Sequence, residues 1–195
     1  MAAPTRAAGA PSAEPPLVVS DDRLRKIEAN LVDVGDRAVW RVSSAKHGNG
    51  VVQLRDGNPN TFWQSDGVQP HMVEVTFQRL TAMVCIAIRL NFAGDESYTP
   101  RRLNVRVGTH PGDMAEVAAA ELESPNGWLL LYLAPEAEAS VDGTPGAVFG
   151  TVLQLNVVEN HQNGRDTHVR GIKVYSFLPQ PVYSTALFES FTMLR

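Results

Sequence analysis

Along most of this chain, hydrophobic and polar residues alternate with the period of a β-strand. Val73, Val75 and Phe77 alternate with Glu74 and Thr76. Leu103, Val105 and Val107 alternate with Asn104 and Arg106, and Leu153, Leu155 and Val157 with Gln154 and Asn156. Successive strand side chains point to opposite faces, so this pattern predicts strands with one face in a core and one in water. Met83 to Leu90 is apolar on both faces and predicts a central strand. Trp128 to Leu133 and Ile172 to Phe177 complete the set. Between these runs lie Asp56-Gly57-Asn58-Pro59, Asp66-Gly67, Pro111-Gly112-Asp113 and Pro125-Asn126-Gly127, all of which favour chain reversal. Many short strands and few long helices predict an all-β, antiparallel sandwich.

Two segments depart from the strand period. Leu24, Ile27 and Leu31 recur at spacings of three and four after Ser20, Asp21 and Asp22. Ser20 is a suitable cap and the two acids suit the positive end of a helix dipole, so a short helix ending by Gly35 is expected. Residues 114–123 are rich in alanine and fit either a helical loop or an irregular strand. Residues 134–147 are rich in Ala, Pro, Gly and acid and predict a flexible surface loop. The expected organisation is a disordered tail over residues 1–19, one sandwich over 20–178, and an extended tail over 179–195.

Composition narrows the function classes. The chain has 195 residues, 44% of them hydrophobic, enough for one domain with a sizeable core. A net charge of −4 argues against a nucleic-acid binder, which needs a basic surplus to displace counterions. No run approaches the ~20 apolar residues of a membrane span. Met1 to Pro16 holds no apolar run typical of a secretory signal, and its only base is Arg6. Cys85 is the only cysteine, so no intrachain disulfide can form, which favours a reducing compartment. Its apolar surroundings read as a buried small hydrophobe.

The sequence offers little for catalysis. There is no GxSxG elbow and no phosphate-binding loop. A zinc site wants three or four ligands, and only His161 and His168, with Asp166 between them, come close in sequence. A metal-dependent hydrolase built on those three is therefore a minor alternative, and no metal or other cofactor is expected. Binding, carried by loops at one end of a rigid scaffold, is the expected work.

Four segments stand out. The first runs from Leu54 to Gly67, where Asp56 and Asn58 can close Asx-turns and Trp63 can pack across the end of the sandwich. Continued through His71 to Val75, it resembles the discoidin or coagulation-factor type C family, which implies a jelly roll of the galactose-binding type. The second is Gly94-Asp95-Glu96-Ser97-Tyr98-Thr99-Pro100, and the third is the nine-residue polar run from Asn160 to His168. In the third, Arg165 and Asp166 are expected to pair with each other or with backbone. Asn160, His161, Gln162 and Asn163 are expected to be exposed for a ligand. The fourth is the C-terminus, Phe191 to Arg195.

Taken with Ala38-Val39-Trp40, Gln53-Leu54-Arg55-Asp56 and Trp63-Gln64-Ser65-Asp66-Gly67, these segments closely resemble the Doc domain of the anaphase-promoting complex. The resemblance runs from about residue 30 to 178 and resumes in the last residues. It implies a non-catalytic subunit of that ubiquitin ligase. Such a subunit acts with a WD40-propeller coactivator as co-receptor for destruction-box degrons and promotes processive ubiquitination in the cell cycle. It implies a degron-facing surface made by Asn160, His161, Gln162, Asn163, Asp95, Glu96 and Ser97. It also implies docking of the terminal Leu194 and Arg195 on a tetratricopeptide-repeat scaffold subunit, where the family ends in Ile-Arg. The implied location is nucleus and cytoplasm. The loop at 134–147 and the Ala-rich stretch at 111–123 depart from the family's pattern. The competing reading on the same fold is a carbohydrate-binding module, although the run 160–168 carries no aromatic platform for a sugar.

Overall fold

A computed structural model describes residues 17–134 and 146–179. They form an antiparallel β-sandwich of the jelly-roll type. Twelve strands follow the chain: β1 (Leu17–Val19), β2 (Leu31–Asp33), β3 (Ala38–Val42), β4 (Trp63–Gln64), β5 (His71–Met83), β6 (Cys85–Asn91), β7 (Pro100–Gly108), β8 (Ala115–Glu121), β9 (Asn126–Tyr132), β10 (Val148–Asn160), β11 (His168–Val169) and β12 (Gly171–Phe177). Three short helices join them: α1 (Asp21–Glu28), α2 (Val51–Arg55) and α3 (Phe92–Asp95). One sheet has the order β1-β9-β6-β12-β2 and the other β3-β5-β10-β7-β8, while β4 and β11 form a separate two-stranded ribbon.

The alternating residues face each other between the sheets as expected. Val73, Val75, Leu103, Val105, Leu153 and Leu155 from one sheet meet Ile86, Ile88, Leu129, Ile172 and Val174 from the other, all buried. The run predicted as one central strand divides: Met83 ends β5, and β6 lies between β9 and β12. That position explains why its residues from Cys85 to Leu90 are apolar on both faces, apart from Arg89, which reaches out to Asp21. Ile86 and Ile88 face the sandwich core, while Cys85 and Ala87 face a second cluster with Leu24, Trp128, Leu130 and Tyr175 under α1. Burial pushes the Cys85 thiol up to about 12, so it is an inert hydrophobe in this setting.

Three expectations change. Helix α1 stops at Glu28, and Leu31 instead opens β2, paired with Phe177. The periodic stripe crosses a turn in which the Asn30 amide donates to the Ile27 carbonyl. Ser20 makes no side-chain cap; Asp21 instead accepts from Trp128 Nε1 at 2.7 Å and pairs with Arg89. The tail expected over 1–19 is ordered from Leu17, because Leu17–Val19 pairs with Trp128 to Leu130. The ambiguous stretch 114–123 contains edge strand β8, paired with β7 from Arg102↔Glu121 to Val107↔Ala115. Tertiary pairing there overrides the helical preference of alanine. Most of the 134–147 loop lies outside the described residues.

Strand registers set the two poles of the sandwich. Asn91↔Asn126, Arg89↔Gly171, His71↔Val157 and Pro100↔Asn160 lie at one pole. Cys85↔Tyr132, Met83↔Val148 and Leu31↔Phe177 lie at the other. Loops 56–70, 92–99 and 160–170 therefore all gather at the first pole.

Candidate functional site

The loop 56–62 is built locally. Asp56 and Asn58 close successive Asx-turns, accepting from the amides of Asn58 and Asn60 at 2.8 and 3.0 Å. Thr61 Oγ1 donates back to Asp56 at 2.8 Å. Trp63 is fully buried and its Nε1 donates to the Ser44 carbonyl at 2.9 Å, so it packs across the end of the sandwich as expected. Leading into this loop is an element the turn residues did not reveal, helix α2, whose start is tied by the Gly50 amide to Gln53 Oε1.

The three loops are locked together by charge. Asp95 is 5% exposed and receives Arg170 in a bidentate grip, Nε and Nη2 each at 2.7 Å. His168 Nδ1 lies 3.1 Å from the same carboxylate. Burial alone would raise the Asp95 pKa, but the hydrogen bonds and charges of His168 and Arg170 outweigh it and hold the carboxyl below its ordinary value. Arg170 also reaches the Pro59 carbonyl at 2.9 Å, so one guanidinium touches both neighbouring loops. The His168 ring is stacked between Phe62 and Tyr98, with centroids 4.1 and 4.2 Å away.

The polar run folds over this base. Asn160 is 1% exposed, and its Nδ2 donates to the carbonyls of Gly164 and Asp166 at 3.2 and 2.8 Å. The expectation that Asn160 is exposed is therefore overturned: two backbone carbonyls need a buried donor, and Asn160 supplies it. His161 is half-buried, edge-on to Phe92 at 4.8 Å, with its amide on the Thr99 carbonyl. Burial first, and then the charge of Arg101, lower its pKa below the ordinary histidine value and favour the neutral ring. Gln162 and Asn163 are exposed and carry left-handed backbone, φ 52° and 57°. Non-glycine residues adopt that conformation rarely, and mostly where surrounding structure enforces it.

Of the residues expected to face a ligand, Gln162, Asn163 and Glu96 stand on the surface, and Ser97 and His161 lie half-buried beside them. Asp95 and Asn160 lie beneath, as braces. Glu96 also has left-handed φ, 42°. Arg165 and Asp166 do not pair with each other; their carbonyls are held from below by His71 Nε2 at 2.6 Å and by Asn160. Gln69 Nε2 holds the Gly164 carbonyl at 2.9 Å. The hydrolase alternative finds its residues apart in role: His168 is committed to Asp95, and His161 to Phe92 and Thr99. Leu194 and Arg195 lie outside the described residues.

Residue patterning alone missed Arg170, which links β11 to β12, and His71, which opens β5. It missed Gly164 as well. A Cβ there would fall 1.8 Å from the Ser97 carbonyl oxygen, so only glycine lets these two loops touch.

The chain matches the family model described as Anaphase-promoting complex, subunit 10 (APC10) over residues 7–194. Anaphase-promoting complex subunit 10 of Homo sapiens is 44% identical over 144 residues, 74% of each chain. The Dictyostelium discoideum protein of that name is 40% identical over 184 residues, 91% of this chain and 94% of its own. Among solved structures, a family 32 carbohydrate-binding module from Clostridium perfringens NanJ, in complex with galactose, superposes with TM-score 0.58 at 13% identity. It covers 75% of this chain and 99% of its own. The CBM32-1 and CBM32-2 domains of Clostridium perfringens ZmpB give TM-score 0.64 at 11% identity, over 85% of this chain and 42% of theirs. Those two likenesses show the jelly-roll fold alone. By the extent of the family match and of its relatives, the chain belongs to the anaphase-promoting complex subunit 10 family.

Proposed function

We propose that this protein is a non-catalytic subunit of the anaphase-promoting complex. It serves with a WD40-propeller coactivator as co-receptor for destruction-box degrons, in nucleus and cytoplasm. The observation that carries the reading is the pole itself: exposed amides at Gln162 and Asn163, held in left-handed backbone above a buried, charge-locked base. An extended peptide leaves backbone amides and carbonyls unpaired, and Asn and Gln side chains can satisfy both kinds. Each such bond contributes only about 1 kcal/mol net. Affinity then depends on sharing the peptide with a second receptor. Linked weak sites slow its release and allow more ubiquitin transfers per encounter.

The buried braces decide how this is tested. Replacing all of Asn160 to Asn163 would strip donors from two carbonyls and confound folding with binding. The informative variant is Gln162→Ala with Asn163→Ala, which leaves Asn160 and Asp95 in place. Assembly into the ligase and the thermal midpoint are expected to match wild type, while ubiquitins added per substrate encounter fall several-fold. Unaltered processivity would count against these residues as degron contacts. Galactose binding by the same pole, lost in the same variant, would favour the sugar reading instead.

A further inference from the structure

Among the described residues, every aspartate but two holds a side-chain hydrogen bond or ion pair. The two exceptions, Asp66 and Asp166, are far apart in sequence and line the same cavity, about 410 Å³, with Gly67, Val68 and Arg165. The cavity opens between the 66–68 and 165–166 segments at the ligand pole. Its walls are fixed by bonds to the backbone, several of them from neighbouring side chains, and by none from these carboxylates. The Ser65 amide donates to the Thr167 carbonyl at 3.1 Å, and the Thr167 amide to Ser65 Oγ at 2.8 Å. The Asp66 amide donates to Ser44 Oγ at 3.0 Å, and Asn160 holds the Asp166 carbonyl. Two acceptor-only side chains are thus presented on a rigid frame with their lone pairs uncommitted.

The lining also defines what fits. Val68, 85% exposed, offers apolar surface beside the two carboxylates, which suits the methylene stem of a long cationic side chain. The Arg165 side chain makes no hydrogen bond or ion pair among the described residues and provides a donor fork for a peptide carbonyl. Two carboxylates are too few for a calcium ion, which takes six to eight oxygens, and no group of three or more His, Cys, Asp or Glu side chains among the described residues is placed to hold a metal. We propose that this cavity is a subsite for a lysine or arginine side chain of the degron peptide. Its charged head would lie between Asp66 and Asp166, its stem on Val68, and a neighbouring peptide carbonyl on Arg165. This rests on the degron reading above.

The test uses the assembled ligase with its coactivator and a fluorescent destruction-box peptide that contains lysine and arginine, each replaced in turn by alanine. The Asp66→Asn, Asp166→Asn double variant is compared with wild type. It is expected to bind the parent peptide about tenfold more weakly, the scale of one lost charge-assisted contact. One alanine-substituted peptide should bind both proteins equally, and the parent's advantage should shrink as salt rises. An equal loss for every peptide, or no loss at all, overturns the subsite. So does a drop in thermal midpoint, because it would show that the carboxylates brace the fold. If the subsite fails while Gln162→Ala with Asn163→Ala still weakens the peptides, the degron reading stands without it. If neither variant changes any peptide, both fall.

Discussion

Asp95 brings a charge into the end of the sandwich and meets a guanidinium and an imidazole there. Removing one partner of such a pair leaves the other buried without compensation, at a cost of about 3–5 kcal/mol. Asp95→Ala is therefore expected to lose that much unfolding free energy in urea. Its pH dependence has a definite sign. The folded carboxyl titrates below 3.8, so its contribution is complete above that value and disappears as pH falls through the lower folded value. The urea midpoint of wild type should accordingly drop more steeply in acid than that of Asp95→Asn; parallel curves would contradict this role. The chemistry of these residues was legible in the sequence, but their roles were not. Asp95 stood out in a polar loop and suggested a ligand contact. Its partner Arg170 lies 75 residues away, and no local pattern joins them.

At the scale of elements, the site depends on loops that interlock rather than on any one loop. The 92–99 and 160–170 segments touch where Gly164 meets Ser97. Gly164→Ala forces them apart, because the intruding Cβ meets backbone that cannot rotate away; overpacking of this kind costs about 1–3 kcal/mol. The expected result is faster amide hydrogen exchange in both loops, with unchanged protection in β6 and β10, and weaker degron binding. Uniformly faster exchange would instead place Gly164 in the global folding unit. Strands β5, β7, β10 and β12 were legible because alternation is a local record of one buried face. Helix α2 and edge strand β8 were not. The first is little more than a single turn, placed just before the Asx-turns at Asp56 and Asn58, and the second is alanine-rich and becomes a strand only by pairing with β7.

At the scale of the whole molecule, the described chain ends at the pole opposite the candidate site. Loops 56–70, 92–99 and 160–170 occupy one end, while β12 delivers the chain at Phe177 to the other. The proposed anchor, Leu194 and Arg195, follows this point in the chain and is separate in sequence from the three loops of the candidate site. Deleting Leu194 and Arg195 is therefore expected to abolish co-precipitation with the repeat scaffold while leaving the thermal midpoint of the isolated protein unchanged. Retained co-precipitation would reject the tail as the anchor.

By itself the sequence determined the strand periodicity, the turn positions, the short helix at Asp21 and the loops that carry polar chemistry. Each of these depends on neighbours within a few residues. Only the tertiary structure decided that Asp95 and Asn160 brace the pole while Gln162, Asn163 and Glu96 face outward, and that Asp66 and Asp166 share one cavity. Burial and pairing across a hundred residues depend on which strands lie side by side. That is fixed by packing of the whole core and leaves no periodic trace in the chain.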